Sequence, residues 1–320
     1  MRYVRMGDRQ ASVIGLGAWQ FGSKGWGWGT ELDATDAHQI VRRALELGIN
    51  LIDTAEMYGG GQSEVLVGEA VRDRRDQAFI ASKVSPHHLL RRSVLGAAAR
   101  SLQRLGTDII DLYQVHWPNP LVSARWTMAA MRQLQEERRI DQVGVSNYSL
   151  ARWRHGEAAL GGPVIANQVR YHLLDRSAER ELLPYAQANG RVIIAYSPLA
   201  QGLLSGRYGP DQLPRGVRLA NPLFTPDNVR KARPLLDVLT EIGAVHGATP
   251  AQIALAWLVH HPNVIAIPGA KSVAQVEANA AAADIELSDE EFNAVTEGSA
   301  GFGEVSRVGS IPWLLRRLIR

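Results

Sequence analysis

Short apolar runs alternate with longer segments of helical periodicity along most of the chain. Eight runs rich in Val, Ile, Leu and Tyr can be counted, at residues 13–19, 49–53, 79–84, 109–116, 142–146, 165–171, 192–196 and 264–268. Several intervening segments open with a helix-start signal, such as Thr249 three residues before Gln252, or Ser288 three residues before Glu291. Strands that alternate with helices in this way are typical of a parallel sheet built from βαβ units.

Two architectures compete for such a chain: a closed eight-stranded barrel, and an open doubly wound sheet with a crevice for a dinucleotide. The sequence GLGAWQ at residues 15–20 lacks the third glycine of the dinucleotide-binding turn, and no helical pattern follows it at once. We therefore predict a (β/α)8 TIM barrel that occupies residues 1–298. A small hairpin is predicted ahead of it, from residues 3–5 and 11–13, and a long loop at residues 200–227 follows the seventh strand.

Composition narrows the class of protein. The 320 residues are 46% hydrophobic and 21% charged, with a net charge of +3 and no cysteine. Disulfides and thiolate metal sites are thereby excluded, and no basic block with interleaved aromatics indicates a nucleic-acid partner. We find neither the apolar core of a secretion signal nor a run long enough to span a bilayer, so we expect no membrane insertion and a cytoplasmic location.

Polar side chains follow several apolar strands at the point where each strand ends. Asp53 and Tyr58 follow the second predicted strand, Lys83 lies near the end of the third, and His116 ends the fourth. Taken singly, they could be a turn residue, a half-buried aromatic, a surface cation and a core histidine. In a barrel they would meet at one mouth, where an unpaired Asp or Lys is costly, so we expect the two to form an ion pair.

A series of motifs in order along the chain resembles the aldo-keto reductase family. The motifs are DTAEMYGG at residues 53–60, GQSE at 61–64, HWP at 116–118, GVSN at 144–147, NQ at 167–168, YSPL at 196–199 and IPGAK at 267–271. The resemblance covers roughly residues 10–295. It implies a barrel enzyme that reduces aldehydes or ketones to alcohols with NADPH.

The resemblance also implies a role for each of four residues in catalysis. Tyr58 would be the general acid that protonates the carbonyl oxygen. Because a free phenol is a poor proton donor at neutral pH, Lys83 would ease its deprotonation, with Asp53 holding Lys83 in place. His116 would orient the substrate oxygen. This chemistry needs no metal, and the adjacent histidines at residues 87–88 and 260–261 do not converge on a common ion.

For the coenzyme, the resemblance implies a site that runs from the nicotinamide to the adenine. Ser146, Asn147 and Gln168 would hold the carboxamide, and Tyr196 would stack on the nicotinamide ring. The pyrophosphate would be bordered by Ser197, Leu199, Gly202 and Leu203.

At the other end, Lys271 and Ser272 would face the 2'-phosphate at the start of a helix, where cations and backbone N–H groups favour an anion. Gln275 stands where many family members carry arginine, and Asn279 matches the adenine-facing position. This end of the predicted site is the reason for choosing NADPH.

The substrate pocket is predicted to be apolar. Trp19 and Trp117 match pocket positions of the family, and Trp26 and Trp28 lie in the glycine-rich loop at residues 25–29. Two tryptophans spaced by glycine do not form one face of a helix or strand, so we predict that both line the pocket. An aromatic or aliphatic aldehyde or ketone is the expected substrate class.

Two other functions stay open at this stage. Some members of the family bind NADPH as redox-sensing regulatory subunits with little turnover, and the four catalytic-type residues do not exclude that role. A barrel lyase or isomerase is a third candidate, although it would be expected to show phosphate- or metal-binding strand ends.

The segment at residues 299–320 extends beyond the resemblance. Pro312 followed by apolar residues and three arginines predicts a short helix that docks on the barrel wall. Its apolar face also suits a contact between two copies of the chain in a homo-oligomer.

Overall fold

The computed structural model describes residues 1–214, 216–303 and 305. The helix predicted within residues 311–320, and the subunit contact assigned to it, lie outside these residues and stay predictions.

Eight parallel strands form the centre of the structure, each paired with the next along the chain. They are β3 (Leu16–Gly17), β4 (Leu51–Asp53), β5 (Phe79–Val84), β6 (Ile110–Val115), β7 (Ile140–Ser146), β8 (Ala166–Arg170), β9 (Val192–Tyr196) and β10 (Val264–Ile267). The β5 and β6 strands are buried at every residue, as expected for strands covered on both sides. The predicted (β/α)8 TIM barrel is confirmed.

The barrel closes between its first and last strands. Gly15 N donates to Ala266 O over 2.8 Å, and Gly17 N donates to Pro268 O over 3.0 Å. A Cβ atom on Gly17 would lie 2.9 Å from Ile267 O, so a side chain at this position would push the two strands apart. The first strand is shorter than the run at residues 13–19, because only Leu16–Gly17 pairs continuously with β4.

Helices surround the barrel. In the described residues they are α1 (Ala34–Glu46), α2 (Gln62–Val71), α3 (Arg91–Leu105), α4 (Ala124–Glu136), α5 (Leu150–Leu160), α6 (Leu182–Ala188), α7 (Pro226–Lys231), α8 (Arg233–His246), α9 (Pro250–Val259), α10 (Val273–Ala281) and α11 (Asp289–Ala300). Thr249 and Ser288 cap α9 and α11 through the predicted capping boxes.

The predicted N-terminal hairpin is present, as β1 (Tyr3–Met6) and β2 (Arg9–Ser12) in antiparallel register. Arg9 pairs with Asp111 at the start of the β6 strand, and it donates to Ala78 O over 3.1 Å. The hairpin therefore lies at the end of the barrel where the strands begin, opposite the end where they finish.

The long loop that was predicted after the seventh barrel strand lies between β9 and α7. It contains short 3₁₀ turns, among them Ala200–Ser205 and Pro222–Phe224. Leu203, Leu204 and Phe224 are fully buried, so these turns pack onto the barrel.

Candidate active site

A cavity of about 1620 Å³ lies at the carboxyl ends of the barrel strands. Asp53, Tyr58 and His116 line it, as do Lys271 and Asn279. This is the end of a TIM barrel where active sites are found, because several βα loops converge there.

Asp53 and Tyr58 line the floor of this cavity, and Lys83, which does not itself line it, contacts both. Lys83 is fully buried, and its Nζ lies 2.5 Å from Asp53 Oδ1. The same Nζ donates to Thr54 O over 2.9 Å and to the Tyr58 hydroxyl over 3.1 Å. All three donor positions of the ammonium are thus used, and one of them fixes the position of the phenol.

The other oxygen of Asp53 is held by two amides. Gln168 Nε2 donates to Asp53 Oδ2 over 2.7 Å, and Gln114 Nε2 lies 3.4 Å from the same oxygen. A buried carboxylate needs such donors in addition to its cation, because Coulomb attraction alone does not repay its desolvation. Sequence reasoning missed Gln114, although a polar residue inside the apolar run DLYQV was a visible signal.

Burial and neighbouring charges shift the pKa values of Lys83 and Tyr58 in opposite directions. Burial alone lowers the pKa of Lys83, but Asp53 and Tyr58 together raise it above its ordinary value, so the ammonium stays charged. Burial raises the pKa of Tyr58, and Lys83 only partly opposes that rise. Tyr58 is therefore a protonated phenol with a cation beside its oxygen.

His116 faces Tyr58 across the cavity floor, with the ring centroids 5.7 Å apart and the planes nearly perpendicular. Its Nδ1 is buried and makes no hydrogen bond to the described residues. Burial and the charge of Lys83 lower the pKa of His116 to about 3. The imidazole is thus neutral at physiological pH.

The strand ends next to this floor carry a polar network. Asn147 Nδ2 donates to Ser146 Oγ over 2.9 Å, and the Tyr196 hydroxyl donates to Asn147 Oδ1 over 3.0 Å. Asn147 adopts a left-handed backbone conformation with φ 62°, which asparagine tolerates better than most residues. Ser146, Asn147, Gln168 and Tyr196 all line the cavity.

Beyond Tyr196 the chain turns through an unusual backbone. Ser197, Ala200 and Gln201 all have positive φ angles, between 50° and 56°. Gln201 lines the cavity, and its Oε1 is buried without a hydrogen-bond partner in the described residues. Positive φ angles at residues other than glycine are energetically costly, and such strained positions cluster at ligand sites. Sequence reasoning did not single out Gln201.

Four of the five predicted pyrophosphate and adenine residues line the cavity wall, whereas Leu203 and the predicted 2'-phosphate residue Ser272 do not. Those that line it are Ser197, Leu199, Gly202 and Asn279. Leu203 is instead fully buried in the hydrophobic core, because the turn that contains it packs inward. Ser272 is not among the lining residues, and its hydroxyl caps α10 by accepting from Gln275 N over 3.3 Å.

Lys271 is at the cavity wall and is already paired. Its Nζ lies 2.5 Å from Glu31 Oε2, on the loop after the first barrel strand. Gln275 also lines the cavity, and its Oε1 accepts from Lys271 N over 2.8 Å. Glu31 was not identified from the sequence, because the two ends of the ion pair are 240 positions apart.

Three of the four predicted pocket tryptophans line the cavity. Trp19 and Trp26 contact each other with ring centroids 3.7 Å apart, and Trp117, which lines the same cavity, is 47% exposed. Trp28 is not among the lining residues. It is half-buried and packs against the hydrophobic core, because the loop turns away at Gly27, where φ is 96°.

Two features of the described residues bear on other functions. They contain no group of three or more His, Cys, Asp or Glu side chains placed to hold a metal ion. Within the same residues no single helix is long and apolar enough to cross a membrane, although α8 and α9 together have that length and composition and meet at a bend of 89°.

Comparison with known proteins identifies the class to which this fold and site belong. The model of the aldo/keto reductase family matches residues 13–299, and the chain belongs to that family. It is thus an oxidoreductase of the aldo-keto reductase type.

Three relatives are informative. An uncharacterised oxidoreductase of Mycobacterium tuberculosis is 49% identical over 307 residues, covering 96% of this chain and 95% of its own. An NADH-specific methylglyoxal reductase of Escherichia coli is 34% identical, covering 93% of this chain and 98% of its own. The crystal structure of a Klebsiella pneumoniae aldo-keto reductase in complex with NADPH superposes with a TM-score of 0.75 at 32% identity, covering 96% of this chain and 98% of that one.

Proposed function

We propose that the protein reduces aldehydes or ketones to alcohols with NADPH, and that Tyr58 is the general acid. The observation that carries this proposal is the position of Lys83 Nζ, which contacts both Asp53 Oδ1 at 2.5 Å and the Tyr58 hydroxyl at 3.1 Å at the cavity floor. A phenol beside a fixed ammonium is suited to donating a proton, because the cation stabilises the phenolate left behind.

The residues present fit the coenzyme. The cavity is large enough for a dinucleotide, and Gln201 Oε1 is a buried acceptor without a partner in the described residues, which a bound ligand can satisfy. Lys271 supplies a cation at the start of α10, suited to a phosphate. Ser146, Asn147 and Gln168 offer a hydroxyl and two amides for a carboxamide, and Tyr196 offers a ring to stack on. The NADPH complex of the Klebsiella relative supports this choice.

NADPH, when bound, supplies the hydride that goes to the carbonyl carbon. Tyr58 then donates its hydroxyl proton to the oxygen of that carbonyl, which gains alkoxide character and becomes a stronger base than a phenolate. Transfer is therefore downhill even though burial raises the pKa of Tyr58. Lys83, held by Asp53, stabilises the phenolate, and the neutral His116 imidazole can donate a hydrogen bond to the same substrate oxygen.

The substrate side favours an apolar carbonyl compound. Trp19, Trp26 and Trp117 line the same cavity as Tyr58 and His116. Aromatic walls bind the body of a substrate and exclude water, while the few polar groups fix its carbonyl. The Escherichia coli relative that reduces methylglyoxal indicates that small dicarbonyl compounds belong in any substrate panel.

The test is the loss of NADPH absorbance with a panel of aldehydes and ketones that includes methylglyoxal. Turnover that is abolished in Tyr58→Phe, with coenzyme binding retained, is the expected result. Tight NADPH binding without turnover of any carbonyl would overturn the proposal and favour a redox-sensing regulatory subunit. Binding of NADH in preference to NADPH would overturn the coenzyme assignment alone.

A further inference from the structure

An ion pair joins two loops across the far end of the cavity. Glu31 lies on the loop between β3 and α1, and Lys271 lies between β10 and α10. Their side chains meet at 2.5 Å, and both residues line the cavity. The ammonium proposed to bind the 2'-phosphate of NADPH is therefore occupied by a carboxylate of the same chain.

The local backbone is shaped around this pair. Gly27 has φ 96°, and a Cβ atom there would lie 2.9 Å from Lys271 Nζ and 3.0 Å from Glu31 Cβ. A side chain at residue 27 would collide with the contact as well as being strained. The turn thus leaves the space in which Glu31 and Lys271 meet.

Glu31 is a charged group in a basic surrounding. Its hydrogen bond to Lys271 lowers the pKa of its carboxyl, and Arg218 and Arg207 contribute through their charges. Arg218 lies over the ring of Trp26, 5.0 Å from the centroid, and both arginines line the cavity. The Glu31 side chain is 61% exposed, whereas that of Lys271 is only 18% exposed, so Glu31 covers the cation rather than the reverse.

We propose that Glu31 is a coenzyme-specificity residue that weakens the preference of this protein for NADPH over NADH. This inference rests on the proposed function, specifically on Lys271 as the 2'-phosphate residue. A 2'-phosphate must displace Glu31 from Lys271, or lie beside it and be repelled. The 2'-hydroxyl of NADH carries no charge, leaves the ion pair intact, and can donate a hydrogen bond to a carboxylate, which is how acidic residues recognise that ribose in other folds.

The experiment compares the dissociation constants of NADP⁺ and NAD⁺ in the full-length protein. Quenching of tryptophan fluorescence is a suitable signal, because Trp19 and Trp26 line the cavity. The variants are Glu31→Gln, Lys271→Ala and the two combined. Asp211→Asn is the matched control, since it removes another carboxylate from the same cavity wall. Melting temperatures identify any variant whose loop is simply destabilised.

We expect Glu31→Gln to tighten NADP⁺ roughly two- to fivefold, the usual size of one exposed charge interaction, and to leave NAD⁺ unchanged or weaker. Asp211→Asn should change the ratio of the two constants much less. In the Lys271→Ala background, the Glu31→Gln change should improve NADP⁺ less than it does in the parent, because competition for the ammonium is gone and only repulsion between the carboxylate and the phosphate remains.

Different results would contradict the role of Glu31 and the proposed phosphate site at Lys271. If Glu31→Gln leaves the ratio of the two dissociation constants unchanged, the specificity role of Glu31 is wrong while the phosphate site stands. The same conclusion follows if the variant weakens the binding of both coenzymes equally, as expected for a residue that only holds the two loops together. If Lys271→Ala itself weakens NADP⁺ and NAD⁺ equally, the phosphate site of the proposed function is wrong, and the inference falls with it.

Discussion

The proposed catalytic end of the cavity (Asp53, Tyr58, Lys83 and His116), called the catalytic end below, and its Lys271 end (Glu31, Lys271, Gln275 and Asn279) differ in how their charges are held. At the catalytic end, a fully buried ammonium is held by a carboxylate that two amides also hold, all on barrel strands. At the Lys271 end, a comparable ion pair joins two loops and its carboxylate is largely exposed. The first arrangement fixes a geometry before any ligand binds, and the second leaves a cation whose partner a ligand can replace.

The largest expected effect is at the catalytic end. Tyr58→Phe should retain NADPH affinity but lose roughly 10²- to 10⁴-fold in kcat, the usual contribution of a positioned general acid. Steady-state kinetics and a coenzyme titration check this. Tyr208→Phe, which alters another tyrosine of the cavity wall, is the control and should keep its kcat. Turnover near that of the parent in Tyr58→Phe would exclude the assigned mechanism.

The second effect is on the pH dependence of stability, which shows whether the folded protein keeps His116 neutral. Its pKa falls from the ordinary 6.5 to about 3 on folding. Below pH 6.5 the unfolded chain gains a proton at His116 that the folded protein does not take up, so stability is lost as the pH falls toward 3.

Between pH 7 and about pH 4.5, the parent should therefore lose about 2 kcal/mol more unfolding free energy than His116→Gln. Urea unfolding at the two pH values measures this difference. His87→Gln, which alters an exposed histidine, should behave like the parent. Equal losses in the parent and His116→Gln would mean that the folded state protonates this imidazole normally.

The third effect is expected at the Lys271 end of the cavity. Lys271→Ala should raise the KM for NADPH about tenfold and leave the KM for NADH nearly unchanged, because only NADPH carries the 2'-phosphate. Lys231→Ala, at the exposed end of α7, is the control for loss of a positive charge. Comparable effects on both coenzymes would move the phosphate site elsewhere.

The smallest expected effect comes from adding a positive charge at the Lys271 end. Gln275→Arg should tighten NADPH by about 1 kcal/mol, since an exposed charge-assisted contact to a phosphate is worth that much. Coenzyme titration measures it, with NADH as the reference ligand. No gain would indicate that the side chain at position 275, whose amide now holds Lys271 N, does not reach the phosphate.

The catalytic end was more predictable than the Lys271 end. Asp53, Lys83 and His116 lie at or near the ends of apolar runs, and the cost of burying an unpaired charge predicts the ion pair that the structure contains. Gln114 was missed because its role depends on strand register, which places it directly beside Lys83. Trp28 and Leu203 pack against or into the core instead of lining the cavity, because sequence motifs mark a loop without fixing which of its side chains turn inward.

The sequence by itself determined the order of strands and helices, the capping residues and the polar strand ends. These follow from local periodicity and from hydrogen bonds within a few residues. Only the tertiary structure decided which polar groups meet: Asp53 with Gln168, 115 positions away, and Lys271 with Glu31, 240 positions away. Such contacts depend on barrel closure and on loop conformation, because side chains far apart in the chain meet only where the fold brings their backbones together.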